Sequence, residues 1–304
     1  MAVTESLNLT RTLSRELIFP DMSKKHKVWY EGPVKGVFDT HAHLYDRRYE
    51  EKGVSVESLL ENAANAGVDK ILIPADNLRT SLLATELAFK YNGTSGVSIW
   101  SSVGVHPHEA SSYNGEIESE LRKLIEDREN RRIVAIGEIG LDYYYDFSPR
   151  DVQKDVFEKQ IELSYETDLP FILHERDATG DCLKILKEAY KNGKLRKNPG
   201  VCHCCSMSVE AASEIIKMGF YIGFDGPLTF NNNRKGVELC AACPEDRIVA
   251  ETDSPYLTPE PNRGRTNESA FTPFVIEKMA EIRGVTPEQM AKITSENGLR
   301  LYEI

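Results

Sequence analysis

The 304-residue sequence predicts an α/β protein with one (β/α)₈ barrel, and three observations favour this fold class. Eight short apolar runs recur along the chain, and most are apolar throughout, as in strands covered on both faces. Helical patterns fill the intervals, which is typical of parallel sheets. Eight strands are also the number that closes such a barrel. An open doubly wound sheet is the alternative that this rhythm leaves.

The predicted elements follow in chain order. The strands are the runs 36–43, 70–75, 99–106, 133–141, 170–174, 201–205, 220–224 and 248–253. Glycines or capping residues bound the helical patterns between them, since glycine ends helices and Ser-Pro or Thr-Pro begins them. These helices are 56–66, 81–91, 116–129, 150–167, 178–191, 209–218, 234–242, 269–283 and a last one that begins at Thr286.

Residues 1–35 lie outside this alternation, and we predict a short N-terminal extension there, followed by the barrel over 36–304. Leu9, Leu13 and Leu17 recur every four residues, which predicts a short amphipathic helix. We expect the extension to pack on the barrel or on a partner subunit. Its composition does not have the basic-then-apolar order of a secretory signal.

Composition excludes several classes of protein. The chain contains no apolar run of the length that crosses a bilayer, so we expect no membrane partner. The formal net charge is −11, so any attraction to nucleic acid must be local rather than spread over a basic surface. Of the six cysteines, Cys202, Cys204 and Cys205 crowd one strand, which is poor spacing for a disulfide framework. We therefore expect reduced thiols in a cytoplasmic protein.

The positions of the histidines are the strongest functional signal. Of the seven, His26 lies in the extension, and the other six end predicted strands or follow them directly. In a barrel these strand ends converge on the face that carries the active site. The six residues are His41, His43, His106, His108, His174 and His203.

The sequence Asp39-Thr40-His41-Ala42-His43 ends the first strand. Alternate side chains of a strand share a face, so the two imidazoles lie side by side, with Cα atoms roughly 6.5 Å apart. Both can reach a single ion at about 2.1 Å. Asp39 points the same way one step deeper, and it could bind metal or orient a histidine.

Two carboxylates follow the same pattern. Glu138 lies near the end of strand four, where a carboxylate can bridge two cations and offset their mutual repulsion. Asp142 is an alternative ligand but lies further out. Asp253 ends strand eight, and we interpret it as a metal ligand that also acts as the general base toward water.

His174 ends strand five, and His203 ends strand six in Cys202-His203-Cys204-Cys205. Cys205 shares a face with His203 and is a further possible thiolate ligand, which would favour zinc. Cys240 and Cys243 form a C-x-x-C inside a helical pattern, where packing is the expected role.

The expected charge of the site points to an anionic substrate. Four neutral histidines and two carboxylates around two divalent cations leave a net positive site, which favours a phosphate ester. A loop after strand eight adds Arg263, Arg265 and Asn267, which lie on the predicted active face and could hold phosphate oxygens.

Several motifs in order along the chain resemble those of the TatD family of metal-dependent deoxyribonucleases, within the amidohydrolase superfamily. The resemblance runs from about Gly36 to Ile304. The matching stretches are FDTHAHL, GVHPH, IGEIGLDYYYD, ILHERDA, VCHCCS, GFYIGFDGPLTF, ETDSPYL and RGRTNES. The strand-six run His203-Cys204-Cys205-Ser206-Met207 departs from the family's usual HCFSG or HCFTG, which puts substrate preference in doubt more than metal binding.

The resemblance implies a two-metal site and a nuclease. It implies metal ligands at His41, His43, Glu138, His174, His203 and Asp253. It also implies that His106, with His108 beside it, faces the substrate and contacts phosphate or assists the leaving group. Family members trim DNA, often from the 3′ end, with magnesium or manganese, and also bind zinc.

These observations leave three hypotheses for the function of this chain. The leading hypothesis is hydrolysis of DNA or another phosphodiester by a two-metal enzyme. The second is an amidohydrolase acting on an amide, a lactone or a small phosphoester. Many such enzymes bridge their metals with a carboxylated lysine, whereas strand four offers Glu138 and no lysine. The third is a non-catalytic scaffold, which would be expected to have lost ligands that are all present here.

Overall fold

The computed structural model describes residues 34–304, and it confirms the predicted barrel. Eight parallel strands form one sheet whose spatial order equals their order in the sequence. Each strand pairs with the next, which is the topology of a (β/α)₈ barrel. The strands are β1 (Val37–Asp39), β2 (Val68–Ile73), β3 (Ser98–Val103), β4 (Ile133–Asp142), β5 (Phe171–Arg176), β6 (Gly200–Cys202), β7 (Tyr221–Phe224) and β8 (Ile248–Ala250).

The sheet closes on itself between β8 and β1. The backbone N–H of Thr40 donates to Ala250 O at 3.1 Å, and that of Asp253 donates to His41 O at 3.0 Å. A parallel bridge between Ala42 and Ser254 continues the pairing beyond the ends of both strands. Closure removes exposed sheet edges, and it brings the residues after β1 and β8 side by side.

Helices cover the outside of the barrel in the intervals where they were predicted. They are α1 (Arg47–Glu51), α2 (Val56–Asn65), α3 (Leu78–Tyr91), α4 (Gly115–Glu126), α5 (Arg128–Arg131), α6 (Arg150–Thr167), α7 (Thr179–Lys191), α8 (Val209–Lys217), α9 (Arg234–Ala242), α10 (Thr272–Arg283) and α11 (Pro287–Tyr302). Short 3₁₀ turns occupy Thr94–Gly96, Pro107–Ser112, Gly226–Thr229, Glu245–Arg247 and Ser269–Phe271.

The differences from the predicted elements are small and have local causes. The predicted helix 116–129 is two helices, because the chain turns at Asp127 between α4 and α5. Helix α1 was not predicted, since its five residues are too few to display a periodic pattern. Strands β1, β6 and β8 stop two or more residues before the predicted ends, because the chain leaves the ladder where it carries the polar side chains of the site.

The inside of the barrel is filled at its lower, N-terminal end by a layer of apolar side chains. The last turn of α11 adds Leu301 and Tyr302 to this layer and closes the barrel from below. The layer keeps water and charge out of this end of the barrel, so the upper, C-terminal end carries the polar groups. Its strand residues are Phe38, Leu72, Val134, Ala135, Ile172, Val201, Tyr221 and Val249, with Trp100 packed beside them.

Among residues 34–304, no helix combines the length and the apolar content that a bilayer crossing requires. The amphipathic helix predicted around Leu9, Leu13 and Leu17, and the histidine at His26, lie outside the described residues. The division into an extension over 1–35 and a barrel over 36–304 stays a prediction.

Candidate metal centre

Glu138 lies at the centre of the polar groups at the upper end of the barrel. Its side chain is buried, and β4 carries it into the space between four imidazoles. Its Oε1 lies 3.2 Å from His41 Nε2 and 3.5 Å from His43 Nε2. Both histidines follow β1, as predicted from their spacing. One oxygen of the carboxylate therefore faces the histidine pair of the first strand.

The second oxygen of Glu138 faces a different pair. Glu138 Oε2 lies 3.5 Å from His174 Nδ1 and 3.3 Å from His203 Nε2. These residues belong to β5 and to the segment that follows β6. The rings of His41 and His203 stack face to face, with centroids 3.8 Å apart. Each oxygen of the carboxylate thus faces one imidazole pair, and the two pairs touch where His41 stacks on His203.

Asp253 completes the first group. Its Oδ1 lies 3.4 Å from His43 Nε2 and 3.8 Å from His41 Nε2. The backbone at Asp253 is left-handed, with φ 54°, which is uncommon for a residue other than glycine. This conformation turns the chain out of the barrel wall directly after β8. It belongs to the kind of backbone strain that clusters at functional sites.

The pKa values of these groups describe a site rich in negative charge. Burial alone would lower the pKa of His43, but its hydrogen bond to Asp253 and the charges of Asp76 and Glu138 raise that pKa to about 9. Burial also opposes protonation of His203, yet the charges of Glu138 and Glu251 raise its pKa to about 10. Metal-free protein therefore holds protons at positions that a cation would occupy.

The pKa values of the two carboxylates, Glu138 and Asp253, are shifted in the opposite direction. Burial works to raise the pKa of Glu138, but the charges of His41 and His203 hold it well below its ordinary value. Burial likewise opposes the ionised form of Asp253, and its hydrogen bond with His43 lowers its pKa. Both carboxylates are therefore ionised at neutral pH.

The donor set fits divalent cations. His41 Nε2 and His43 Nε2 lie 3.2 Å apart and both face Glu138, so a cation between them would satisfy all three groups. Within residues 34–304, three overlapping groups have ligand atoms within 4.8 Å of one another: His41–His43–Glu138, His106–Glu138–His174 and His41–His203–Glu251. Imidazole nitrogens and carboxylate oxygens suit zinc, manganese and related ions. The His/Glu cluster can therefore hold metal.

His43 is fixed in the orientation that metal binding needs. Its Nδ1 lies 2.9 Å from the Tyr45 hydroxyl, which donates to Asp76 Oδ2 at 2.9 Å. Since the hydroxyl proton points to Asp76, the hydroxyl oxygen accepts the Nδ1 proton of His43. The Nε2 lone pair is then free to face the other ligands. Neither Tyr45 nor Asp76 was predicted, although Asp76 follows β2 at the same end of the barrel.

Glu251 supports His203 in a comparable way and was also missed. Its carboxylate is fully buried, with Oε1 3.4 Å from His203 Nδ1. The same carboxylate accepts the backbone N–H of Cys204, which fixes the turn after β6. Glu251 stands two residues before Asp253, so the strand alternation that points to Asp253 contained a signal for it.

Asp142 lies behind the site rather than among the ligands. Its Oδ2 lies 2.9 Å from His108 Nε2 and 3.1 Å from His174 Nε2, so it orients both rings. Its Oδ1 accepts the backbone N–H groups of Tyr144 and Tyr145, at 3.0 and 2.8 Å. Burial opposes its charge, but the hydrogen bonds from His108 and His174 hold its pKa well below the ordinary value.

His106 is buried against the second imidazole pair. Its ring centroid lies 4.3 Å from that of His174 and 4.3 Å from that of His108. His106 Nδ1 accepts the backbone N–H of His108 at 3.1 Å, so the neutral ring carries its proton on Nε2. Burial and the charge of His174 hold the pKa of His106 well below its ordinary value. At neutral pH the ring is a hydrogen-bond donor rather than a cation.

The loop after β8 differs in part from the expectation. The guanidinium of Arg263 lies 4.0 Å from the ring centroid of Phe230, and Arg265 donates to Asn262 Oδ1 at 2.8 Å. Asn267 is fully buried, and its amide donates to Thr252 O and Tyr256 O at 2.9 and 2.6 Å. The amide of Asn267 therefore holds the loop, and its predicted contact with substrate stays a prediction.

Other expected ligands have structural roles. Asp39 accepts hydrogen bonds from Thr252 N and Thr252 Oγ1, at 3.0 and 2.7 Å, and so ties β1 to the segment after β8. Burial raises its pKa to about 7. Cys205 packs in the apolar core, and the three metal-binding groups of the described residues contain no cysteine. Cys240 and Cys243 are core residues, as predicted, and all six cysteines are free.

Comparisons with known proteins match most of the chain. The model of the family described as TatD related DNase matches residues 38–303. YabD of Bacillus subtilis strain 168, described as an uncharacterized metal-dependent hydrolase, is 40% identical over 268 residues, 88% of this chain and 99% of that protein.

Two further relatives extend the comparison. The 3′-5′ ssDNA/RNA exonuclease TatD of Cronobacter sakazakii is 35% identical over 254 residues, 81% of this chain and 91% of that protein. The crystal structure of YJJV, a TatD homolog from Escherichia coli K12, has a TM-score of 0.79 at 26% identity and covers 88% of this chain and 98% of its own.

Proposed function

The chain belongs to the family of TatD-related DNases and is a metal-dependent hydrolase, and from that premise we propose that it removes nucleotides from the 3′ end of DNA. The proposal rests on the division of the four imidazoles into two pairs by the two oxygens of Glu138. The relative from Cronobacter sakazakii, whose name states a 3′-5′ ssDNA/RNA exonuclease, supports the direction of attack. The six free cysteines favour a cytoplasmic location.

We propose that the site holds two divalent cations, of magnesium, manganese or zinc. His41, His43 and Asp253 would hold one, His174 and His203 the other, and Glu138 would bridge them. A bridging carboxylate offsets the repulsion between two neighbouring cations. When bound, such ions act as Lewis acids toward a phosphodiester and lower the pKa of water.

Asp253 is the residue best suited to accept a proton from the attacking water. Its carboxylate is ionised, because the hydrogen bond with His43 lowers its pKa. About 15% of its side chain is exposed, against about 4% for Glu138, so water reaches it more readily. A positioned general base of this kind contributes roughly 10²–10⁴-fold to a rate.

His106 is placed to assist the leaving group. Its ring is neutral, carries its proton on Nε2, and lies beside His174. A neutral imidazole can still donate a hydrogen bond from its N–H group to the departing oxygen. His108, Arg263 and Arg265 remain proposed contacts for the other phosphates of the substrate.

The decisive experiment combines metal analysis with digestion. The purified protein would be stripped of metal, reloaded separately with Mg²⁺, Mn²⁺ and Zn²⁺, and assayed on oligonucleotides labelled at the 5′ or the 3′ end. We expect about two ions per chain and a ladder of products shortened from the 3′ end. Internal cleavage would contradict the exonuclease proposal. Bound metal without any cleavage of DNA would contradict the nuclease itself.

A further inference from the structure

Three exposed aromatic side chains lie together at the upper end of the barrel, directly after β4. Tyr144, Tyr145 and Phe147 are 59, 47 and 68% exposed. Exposed apolar groups scattered singly are ordinary, but a cluster beside a catalytic site marks a binding surface. We call these three residues, together with Arg176 at the end of β5, the aromatic platform.

The platform is ordered by contacts among its own members. The rings of Tyr145 and Phe147 stack with centroids 5.3 Å apart and an angle of 23°. Tyr144 meets Tyr145 edge to face at 4.9 Å. The guanidinium of Arg176 lies 4.1 Å from the ring centroid of Tyr144 and 4.9 Å from that of Tyr145. Exposed π surface therefore stands beside a fixed positive charge.

A chain of contacts joins the platform to the metal centre. The ring of His108 lies 4.9 Å from that of Phe147 and 5.3 Å from that of Tyr145. Asp142, which hydrogen-bonds both His108 and His174, also accepts the N–H groups of the turn that carries the platform. The same carboxylate thus sets the position of the platform and of a proposed metal ligand.

Another aromatic residue at this end of the barrel, Tyr256, is less available. Tyr256 is 37% exposed, and its hydroxyl donates to Asp46 at 2.9 Å. The guanidinium of Arg48 lies 4.2 Å from its ring centroid, and the ring of His43 meets it edge to face at 5.9 Å. Because Tyr256 is less exposed than each ring of the platform, the platform after β4 is the better surface for an incoming flat group.

We propose that the aromatic platform stacks an unpaired nucleobase of the substrate close to the phosphodiester that is cleaved. The proposal rests on the nuclease function proposed above, and it assigns the surface that receives a base of a strand unpaired near the cleaved end. In a duplex the faces of a base are covered by its neighbours, whereas an unpaired base offers a free π face. Arg176 adds local positive charge on a chain whose net charge is −11.

The test compares platform variants with an exposed control on substrates that differ in one base. We would measure kcat and KM for Phe147→Ala and for Tyr145→Ala/Phe147→Ala. The matched control is Phe89→Ala, since Phe89 is 70% exposed on α3. The substrates are a single-stranded oligonucleotide, the same strand with one abasic nucleotide moved stepwise from the 3′ end, and a strand of the same length made only of abasic nucleotides.

We expect the double variant to raise KM for the intact strand about tenfold or more, because stacking on one aromatic ring is worth that much in affinity. Hydrolysis of the fully abasic strand should stay within about twofold of wild type, since this strand has no base to stack. At one position near the 3′ end, an abasic nucleotide should raise the KM of the wild type but not that of the double variant. Phe147→Trp keeps an aromatic ring at this position, so its KM should be that of the wild type rather than that of Phe147→Ala.

The outcomes separate this inference from the proposed function. If the wild type cleaves no oligonucleotide, the nuclease proposal fails. If the wild type cleaves DNA and the double variant matches it on every strand, the platform proposal fails alone. A double variant that loses hydrolysis of the fully abasic strand as well would assign the segment a structural role, and this would also overturn the platform proposal.

Discussion

The two ends of the barrel are built from the same eight strands, yet their interiors differ. At the upper end, the strands and the segments after them place four imidazoles within 4 Å of Glu138 and two of these within 4 Å of Asp253. At the lower end, the same strands contribute apolar side chains that pack in one layer. The upper groups carry charges that a bound cation would offset, whereas the lower layer carries none.

The apolar side chains of the lower layer are closely packed. The ring of Phe38 lies 5.8 Å from that of Trp100 and 6.2 Å from that of Tyr302. A Cβ on Gly298 would lie 2.7 Å from Phe38, so α11 can approach the barrel only with glycine at this position. The two ends therefore differ in role: the apolar layer at the lower end serves stability, and the polar groups at the upper end serve the chemistry.

The largest effect should come from Glu138→Gln. The neutral amide cannot bridge two cations, and loss of their charge stabilisation removes several kcal/mol from the reaction. We expect kcat/KM on oligonucleotides to fall about 1,000-fold or more. Metal content and kinetics would be measured together, with the exposed Glu61→Gln as control. A Glu138→Gln enzyme within tenfold of wild type would break the proposed division of the site by this carboxylate.

The next effect lies at the other end of the barrel. Phe38→Ala should lower the free energy of unfolding by about 3–5 kcal/mol, because it leaves a cavity in the apolar layer. Chemical denaturation would measure this, and Phe89→Ala on the surface should change little. At a temperature where Phe38→Ala is folded, kcat per folded molecule should equal that of wild type. A large loss of kcat would mean that the two ends are not separable.

The sequence predicted the fold and pointed to the side chains that meet at the candidate metal centre, for reasons that the two ends make clear. Strands covered on both faces are apolar throughout, so all eight could be located before the structure was known. Histidines at strand ends stand out against these runs. His41 and His43 needed only the alternation of a strand to be placed side by side. The ring of proposed ligands therefore follows from local pattern and barrel topology.

The supporting residues could not be predicted as well, because their roles depend on contacts between distant segments. Tyr45 and Asp76 meet only when the segments after β1 and β2 lie side by side. Asn267 has the residue type of a substrate contact, yet the fold of its own loop buries it. Sequence pattern indicates which side chains reach the site, but not which of them already have partners.

Glu251→Gln tests whether such support matters at the upper end. Gln keeps the shape but removes the charge that faces His203 Nδ1. Loss of a residue that orients a metal ligand typically weakens metal binding about 10–100-fold. We expect this loss in competition with a chelator, and an unchanged metal affinity for the exposed Glu210→Gln. Equal affinities for the two variants would leave Glu251 with no part in holding the ligand.

The last prediction concerns pH and the protons held by the metal-free site. The pKa values of His43 and His203 are raised to about 9 and about 10, so both rings are protonated at pH 7 before metal binds. Because a ligand imidazole must be neutral, metal binding has to displace these protons. Apparent affinity should therefore rise with pH from 7 toward 9, by about tenfold per half unit while two protons are released.

Calorimetry in buffers of different ionisation enthalpy would count these protons. We expect up to about two per chain at pH 7, falling as pH passes the pKa values of His43 and then His203. Asp76→Asn is the informative variant, since the charge of Asp76 helps to raise the pKa of His43. Its removal should lower the number of protons released at pH 8. Binding without proton release at pH 7 would show that the upper end does not hold the excess negative charge on which its contrast with the lower end depends.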